Sequence, residues 1–178
     1  DPVRVAEWRR GAELIGWQRR NRIPGAGSGV LRRGIGMASA IWGGGGGRGT
    51  IVHVRIQRDG SVQAMVGSQC LGTGTRNYVA AIVAEELGLE LKDVQPLIGD
   101  SNYPNSGGSG GSNTAASVAP AVKTAAVAAR QQLAVALARH FNLRPEEAVN
   151  QLEFLPGKIQ VKGNPQRSIG WKEACAQL

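Results

Sequence analysis

Two glycine-rich loops, each followed by a helix pattern, are the segments of this chain best suited to hold a ligand. The first is Cys70–Arg76, and the second is Asn105–Thr114, which precedes an alanine-rich helix pattern. Glycine lets the backbone approach a ligand closely, and the first amides of a helix have no partners within it. Two such helix starts aimed at one place would form a cradle for phosphates, which predicts a large phosphorylated cofactor.

Each loop also has a plainer interpretation. The first loop resembles a dinucleotide-binding fingerprint only superficially, because Asn77 replaces its final glycine. The fingerprint also requires a parallel βαβ unit, whereas the preceding strand pattern belongs to a hairpin. No Gly-Lys-Ser/Thr ending is present, which excludes a P-loop, and the loop could equally be a tight turn before a helix. The second loop has the composition of a disordered linker. Its place between a strand pattern and a strong helix pattern favours a functional loop instead.

The remaining reactive groups indicate no active site of their own. Neither His53 nor His140 has a companion at the spacing of metal ligands, so no protein-bound zinc is predicted. Adjacent Glu85 and Glu86 diverge on a helix, which argues against a carboxylate pair for acid–base chemistry. Cys70 precedes a helix start that could lower its pKa, but it lacks a neighbouring base and is interpreted as space-filling. No base lies near the loop serines Ser109, Ser112 and Ser117, so no catalytic and no metal-ligating residue is assigned.

Length and composition predict one globular domain, residues 1–178. No run of 18 apolar residues occurs, so no membrane span is predicted, and two distant cysteines do not suggest a disulfide framework.

The net charge of +8 is concentrated at one end, because residues 1–58 hold 11 of the 21 Lys+Arg but only 3 of the 13 Asp+Glu. Such an end could be a plain solvated or subunit-facing surface, or it could meet nucleic acid, cofactor phosphates or an acidic protein surface. Nucleic acid is not expected, because no aromatic platform accompanies the arginines.

Hydrophobic periodicity predicts an α+β fold, with a mixed or antiparallel sheet of four or five strands. Two main helices, residues 75–87 and 117–141, are expected to pack on one side of the sheet, with Pro120 in the first turn of the second. The glycine run Gly43–Gly47 is either a flexible tip or a place where the backbone passes close to a ligand. The other predicted elements are a helix over 3–20, a strand over 34–42, a hairpin around Asp59-Gly60, a strand over 94–98, a short helix from Pro145, a hairpin around Pro156-Gly157 and a final helix from Trp171.

Seven segments stand in an order and spacing that match one known family over about residues 5–140. They are Arg33–Ala38, Ile41–Gly47, Asp59–Val62, Gly67–Arg76, Ala84–Leu89, Ile98–Asp100 and Gly107–Val118. Together they resemble the molybdopterin-binding large subunit of the xanthine dehydrogenase and aldehyde oxidase family. Within it, the chain is most similar to the bacterial aldehyde-oxidising branch, whose large subunit works with separate flavin and iron–sulfur subunits.

The resemblance implies where a cofactor would bind. In that family the Gly-x-Gly turn and the Thr-Ala-Ala-Ser segment bind the pterin cofactor and approach the molybdenum. By position, the implied cofactor-binding residues are Gly72, Thr73, Gly74, Thr114, Ala115, Ala116, Ser117 and Val118. Many members carry Gln where Thr73 stands and an acid where Cys70 stands. The catalytic glutamate of the family lies near the C-terminal end of the full subunit, so no residue of this chain is assigned to that role.

The resemblance also implies an internal fragment of the molybdopterin-binding domain of a hydroxylase that inserts water-derived oxygen into aldehydes or N-heterocycles. The expected cofactor is molybdenum–molybdopterin in its cytosine dinucleotide form. The expected partners are the remainder of the same large subunit, an iron–sulfur subunit and an FAD subunit. The isolated fragment is expected to be inactive, and the alternative is a structural or interaction module without a ligand. A cytoplasmic location is expected, with the periplasm as the alternative.

Overall fold

The first 42 residues form a unit of their own, in which the main element is helix α1 (Pro2–Leu14). The computed structural model describes residues 1–47 and 49–178. The Asp1 carboxylate caps α1 by accepting a 2.9 Å hydrogen bond from the Val3 amide. The helix ends before its predicted limit at residue 20, because Gly16 adopts a left-handed conformation with φ +67°.

The predicted strand over residues 34–42 is wrong, because this segment has no regular structure. A strand needs a hydrogen-bonded neighbour, and the described part of residues 1–42 contains no second strand to pair with it. The second unit spans residues 43–178. The expectation that residues 1–178 act as one domain stays a prediction.

A three-stranded mixed sheet organises the second unit. Its strands are β1 (His53–Ile56), β2 (Val62–Val66) and β3 (Val94–Ile98), in the order β1-β2-β3. β1 and β2 form the predicted antiparallel hairpin, closed by a 2.9 Å hydrogen bond from the Gln57 amide to the Ser61 carbonyl. β2 also pairs with β3 in parallel, so the two strands and the helix between them form a βαβ unit. The sequence argument against such a unit was wrong, because a strand has two edges and β2 uses both.

Two helices pack against one face of this sheet, as predicted. α2 (Thr75–Leu87) contacts β2 and β3, and α3 (Thr114–Ala136) contacts α2 and β1. The core between them is built from fully buried aliphatic residues of both layers. They include Val62, Ala64, Val66, Val79, Val83, Leu87, Val118 and Val122.

The second main helix, α3, differs from its prediction at both ends. It begins at Thr114 and ends at Ala136, where single turns replace the α-helical pattern. Pro120 is therefore the seventh helical residue and lies beyond the first turn. Because proline has no N–H, it cannot donate to the carbonyl four residues earlier, that of Ala116. The Ala116 carbonyl is thus left without its usual helical donor.

A cluster of charged residues joins α2 to α3. The Glu86 side chain is only 9% exposed and forms ion pairs with Lys123 and with Arg130, the latter at 3.7 Å. Its neighbour Glu85 lies on the exposed side of α2, which confirms that the two acids diverge. Glu86 therefore helps to fix how the two helices lie against each other.

A second, antiparallel sheet completes the unit. It follows α4 (Pro145–Gln151) and consists of β4 (Leu152–Leu155), β5 (Lys158–Val161) and β6 (Asn164–Gly170), after which comes α5 (Trp171–Cys175). The α+β class and the hairpin around Pro156-Gly157 are confirmed, whereas one sheet of four or five strands is wrong. Alternation in a sequence shows which face of a strand is buried, but not which strands become neighbours.

Two close contacts join the second sheet and its helix to the first sheet and α2. The indole Nε1 of Trp171 donates a 2.8 Å hydrogen bond to the Gly60 carbonyl in the β1–β2 turn. The second contact is at Gly88, which ends α2 with φ +64°. A Cβ there would lie 2.6 Å from the Phe154 backbone of β4, so the end of α2 lies directly against this strand. In the described residues, no helix combines the length and apolar character needed to cross a bilayer.

Candidate functional site at one edge of the first sheet

Both main helices begin at the same edge of the first sheet, which we call the loop edge: the carboxyl ends of β2 and β3 and the segments that follow them. α2 follows β2 and returns the chain to the start of parallel β3, so α2 begins at this edge. α3 follows β3, and its first turn lies beside the segment leading into β1, which pairs antiparallel to β2. In open α/β sheets, ligands bind outside the carboxyl ends of parallel strands.

The turn before α2 presents an open glycine surface. Gly72 and Gly74 have φ values of +92° and +75°, and no atom lies within 4 Å of a Cβ built on either. Gly74 is the N-cap of α2 and supplies no side-chain cap. Between the glycines, Thr73 places its hydroxyl 3.3 Å from that of buried Thr75. The turn therefore leaves backbone on its outer side accessible to a ligand.

Cys70 is more than the space-filling residue predicted from the sequence. Its exposed thiol lies beside backbone amides of the turn and of the first residues of α2, chiefly that of Arg76 and then those of Gly72, Thr75 and Gly74. Amides stabilise the thiolate, and they lower the pKa of Cys70 to about 7. A group of this chain that becomes anionic near neutral pH therefore lies at the start of α2.

We expect Cys70 to react quickly with iodoacetamide near neutral pH. Because thiolate is the nucleophile, the rate should rise through pH 7 and level off above pH 8, where an ordinary thiol is still gaining reactivity. Cys175 is the internal control, since burial raises its pKa to about 11 and it should stay unmodified in the folded protein. Mass spectrometry of the labelled peptides measures both rates. A rate at Cys70 that continued to rise up to pH 9 would contradict this picture.

The start of α3 is built against the glycine run Gly43–Gly47. The Ser117 hydroxyl accepts a 2.6 Å hydrogen bond from the Gly47 amide and donates one of 2.8 Å to the Asn113 carbonyl. A Cβ on Gly46 would lie 2.6 Å from the Ala116 carbonyl oxygen, so only glycine allows this approach. The run therefore passes close to the backbone of α3, while its approach to a ligand stays a prediction.

Residues at the start of α3 surround a small cleft. It has a volume of about 40 Å³, enough for a water-sized group and too small for a pterin. Its lining consists of Gly47, Thr50, Ser106, Gly107, Gly108, Asn113, Thr114, Ser117 and Val118. A larger ligand would therefore lie outside it, across the exposed residues of the loop edge.

The structure places the eight sequence-predicted site residues in two groups at the loop edge. Thr114, Ser117 and Val118 line the cleft, whereas none of Gly72, Thr73 and Gly74 does. Ala115 and Ala116 are exposed beside it. The Val118 side chain is fully buried in the core, so this residue can offer a ligand only its backbone.

Hydrogen bonds join the segments that carry these two groups. The Gly67 amide donates a 2.7 Å bond to the Pro104 carbonyl. Ser109 donates two further bonds to Gln69, one from its amide to Oε1 and one from its hydroxyl to the main-chain oxygen, both at 2.9 Å. The Gln69 and Gly46 contacts were not found from the sequence. In the sequence, only the repeated glycines indicated that the backbone makes a close approach here.

The loop edge suits an anionic ligand with a polar ring system. Neither Gly74 before α2 nor Asn113 before α3 caps its helix through a side chain. Ser68, in the link from β2 to α2, is fully buried, and its hydroxyl has no hydrogen-bond partner in the described part of the chain. Backbone amides, hydroxyls and carbonyls, including that of Ala116, can serve phosphate oxygens and the donors and acceptors of a pterin. In the described residues, no group of three or more His, Cys, Asp or Glu could hold a metal ion.

Known proteins resemble this chain in sequence. The aldehyde oxidoreductase molybdenum-binding subunit PaoC of Escherichia coli strain K12 is 31% identical over 174 residues, covering 94% of this chain and 21% of that protein. A nicotinate dehydrogenase subunit of Pseudomonas putida strain KT2440 is 36% identical over 96 residues, covering 53% of this chain and 8% of that protein. The chain thus spans about a fifth of the length of the first of these relatives.

Solved structures share the fold. Quinoline 2-oxidoreductase from Pseudomonas putida 86 superposes with a TM-score of 0.64 at 21% identity, covering 71% of this chain and 16% of that one. Carbon monoxide dehydrogenase from Oligotropha carboxidovorans gives a TM-score of 0.57 at 28% identity, covering 70% and 15%. The family model described as the molybdopterin cofactor-binding domain matches residues 10–178. The chain therefore belongs to the molybdopterin cofactor-binding domains of the xanthine dehydrogenase and aldehyde oxidase family.

Proposed function

We propose that the loop edge is the part of this molybdopterin-binding domain that holds the cofactor. The observation that carries the proposal is that α2 and α3 begin at one edge of the first sheet, and that neither is capped by a side chain. Backbone at Gly72, Thr73 and Gly74 would face one side of the cofactor. The other side would meet Thr114, Ala115, Ala116, Ser117 and the backbone of Val118.

Each group of residues offers different contacts. The turn at Gly72–Gly74 offers backbone without side-chain obstruction, and the start of α3 adds hydroxyls and the Ala116 carbonyl, to which Pro120 cannot donate. We expect the cytosine dinucleotide form of the cofactor, because the extended serine- and glycine-rich segment Asn105–Asn113 offers further amides and hydroxyls for its second phosphate. The Cys70 thiol already lies beside amides at the start of α2, so phosphate contacts are expected mainly at that segment and at α3.

The complete protein would be an oxidoreductase acting on aldehydes or N-heterocycles. The bound cofactor supplies a two-electron oxidation with oxygen derived from water. Aldehydes are favoured as the substrate class, because the likeness to the aldehyde oxidoreductase subunit covers 94% of this chain and that to the nicotinate dehydrogenase subunit covers 53%. Electrons would leave through iron–sulfur and FAD centres in partner subunits. A structural module without ligand is the weaker alternative, since the whole chain from residue 10 matches a cofactor-binding domain.

The test is the molybdenum content of the complete subunit carrying Gly72→Pro. Proline fixes φ near −65°, so it cannot adopt the +92° of Gly72, and the turn before α2 must change shape. We expect wild-type protein to contain molybdenum by elemental analysis and the variant to contain none. Gly163→Pro is the matched control, because Gly163 also has a positive φ of +71° but lies in the β5–β6 turn. A Gly72→Pro variant with full molybdenum content would refute the assignment.

A further inference from the structure

The glycine-rich segment Asn105–Asn113 is held at its ends, where the Asn105 carbonyl accepts a 2.8 Å hydrogen bond from the Ile51 amide and the Asn113 carbonyl accepts one of 3.0 Å from the Ser117 amide, but it has few contacts between them. Gly107, Gly108, Gly110 and Gly111 are exposed, and a Cβ built on any of them would meet no atom within 4 Å. Such a segment has many accessible backbone conformations, and ordering it for a ligand requires a large loss of conformational entropy. Between residues 107 and 112, Ser109 is the one residue that is not fully exposed.

Ser109 is held by a single residue of the facing link, Gln69. The Ser109 amide donates to Gln69 Oε1, and the Ser109 hydroxyl donates to the Gln69 main-chain oxygen. The other end of the Gln69 side chain is also used, because Nε2 donates a 3.2 Å hydrogen bond to the Gly67 carbonyl. Gln69 is thereby oriented from within its own link while it binds the middle of the opposite segment.

We propose that Gln69 is a positioning residue that holds the glycine-rich segment in the conformation that binds the cofactor. The Gln69–Ser109 contact restrains the glycine-rich segment near its middle. Because part of the segment is already ordered, it loses less conformational entropy when it binds a ligand. This inference rests on the proposed function of the loop edge. Gln69 itself touches Gly67 and Ser109 and is assigned no contact with the cofactor.

The informative variant is Gln69→Met in the complete subunit, because methionine has a similar length and forms neither hydrogen bond. Gln63→Met is the matched control: Gln63 also makes a glutamine side-chain hydrogen bond, 2.9 Å to Gln95, but it does so between β2 and β3. Two quantities are measured in each protein. One is hydrogen exchange of peptides covering residues 105–113 in the cofactor-free form, and the other is the half-time of molybdenum loss from the loaded form.

We expect Gln69→Met to raise exchange of the segment and to shorten the half-time of molybdenum loss, each roughly threefold to tenfold, the range for one or two weak hydrogen bonds. Gln63→Met should change neither, and the melting temperatures of the two variants should match, which separates positioning from general destabilisation. Combining Gln69→Met with Ser109→Ala should give less than the product of the single effects, since the two hydrogen bonds that they remove join the same pair of residues.

The inference is overturned if wild-type protein binds molybdenum and Gln69→Met loses it no faster than Gln63→Met. It is equally overturned if exchange of the segment is unchanged in Gln69→Met. Absence of molybdenum from wild-type protein would instead refute the proposed function, so the two failures are distinguishable.

Discussion

Replacing Trp171 by alanine is expected to lower the free energy of unfolding by about 3–5 kcal/mol, the range for removing a large buried aromatic side chain. The Trp171 residue is 8% exposed, and its indole lies against Gly60, where a Cβ would come within 3.3 Å of the ring. It also donates the 2.8 Å hydrogen bond to the Gly60 carbonyl. The substitution thus removes packing and a hydrogen bond where the second sheet meets the first.

Urea unfolding followed by circular dichroism measures this loss, with two variants for comparison. Trp171→Phe keeps most of the ring contact and loses the indole donor, so a smaller loss of about 1 kcal/mol is expected from the hydrogen bond. Trp42→Ala is the control, because Trp42 is 76% exposed and its removal should change stability by no more than about 0.5 kcal/mol. Equal stability of Trp171→Ala and Trp42→Ala would show that the indole does not join the two sheets.

Replacing Gly46 by alanine is expected to remove most of the bound molybdenum from the complete subunit. A Cβ at this position would lie 2.6 Å from the Ala116 carbonyl oxygen. This oxygen belongs to the backbone of the first turn of α3, so it cannot rotate away as the end of a flexible side chain could. The glycine run must then move away from α3, breaking the 2.6 Å bond from the Gly47 amide to the Ser117 hydroxyl. The change therefore alters two of the proposed cofactor-binding residues, Ala116 and Ser117, without replacing either.

The neighbouring substitution Gly45→Ala is the control for this effect. No atom lies within 4 Å of a Cβ built on Gly45, so alanine fits there and molybdenum content should equal that of wild type. Both variants lose one glycine from the same run, so a change in backbone flexibility is common to them. Equal molybdenum content in the two would mean that the run and α3 are not in contact in the cofactor-bound protein.

The sequence predicted the elements of this fold better than their arrangement. Alternation located β1 and β2, and apolar spacing together with Gly88 located α2 at its observed limits. These local patterns could not show that β2 pairs with β3 as well as with β1, because strand pairing joins residues far apart in the sequence. Pro120 was placed too early in α3, since the helix start at Thr114 depends on the segment before it.

For the candidate site too, the sequence predicted the segments but not the contacts between them. The glycine-rich loops and the family resemblance located both helix starts, and the structure brings those starts to one edge of a sheet. The Gln69–Ser109 contact could not be predicted, because a polar side chain does not reveal a partner 40 residues away. The place of Cys70 before α2 indicated that its pKa could be lowered, but its interpretation as a space-filling residue was wrong, because the fold leaves the thiol exposed.

The contacts that build the loop edge join residues far apart along the chain, which bears on the order of folding. Gln69 and Ser109 are 40 residues apart, and Gly47 and Ser117 are 70 apart. The entropy lost on closing a loop grows with its length, so such contacts form slowly and add little until the sheet and helices are in place. The edge should therefore be the last region to become ordered during synthesis and the first to open afterwards, which leaves a newly made domain receptive to a large ligand after its core has consolidated.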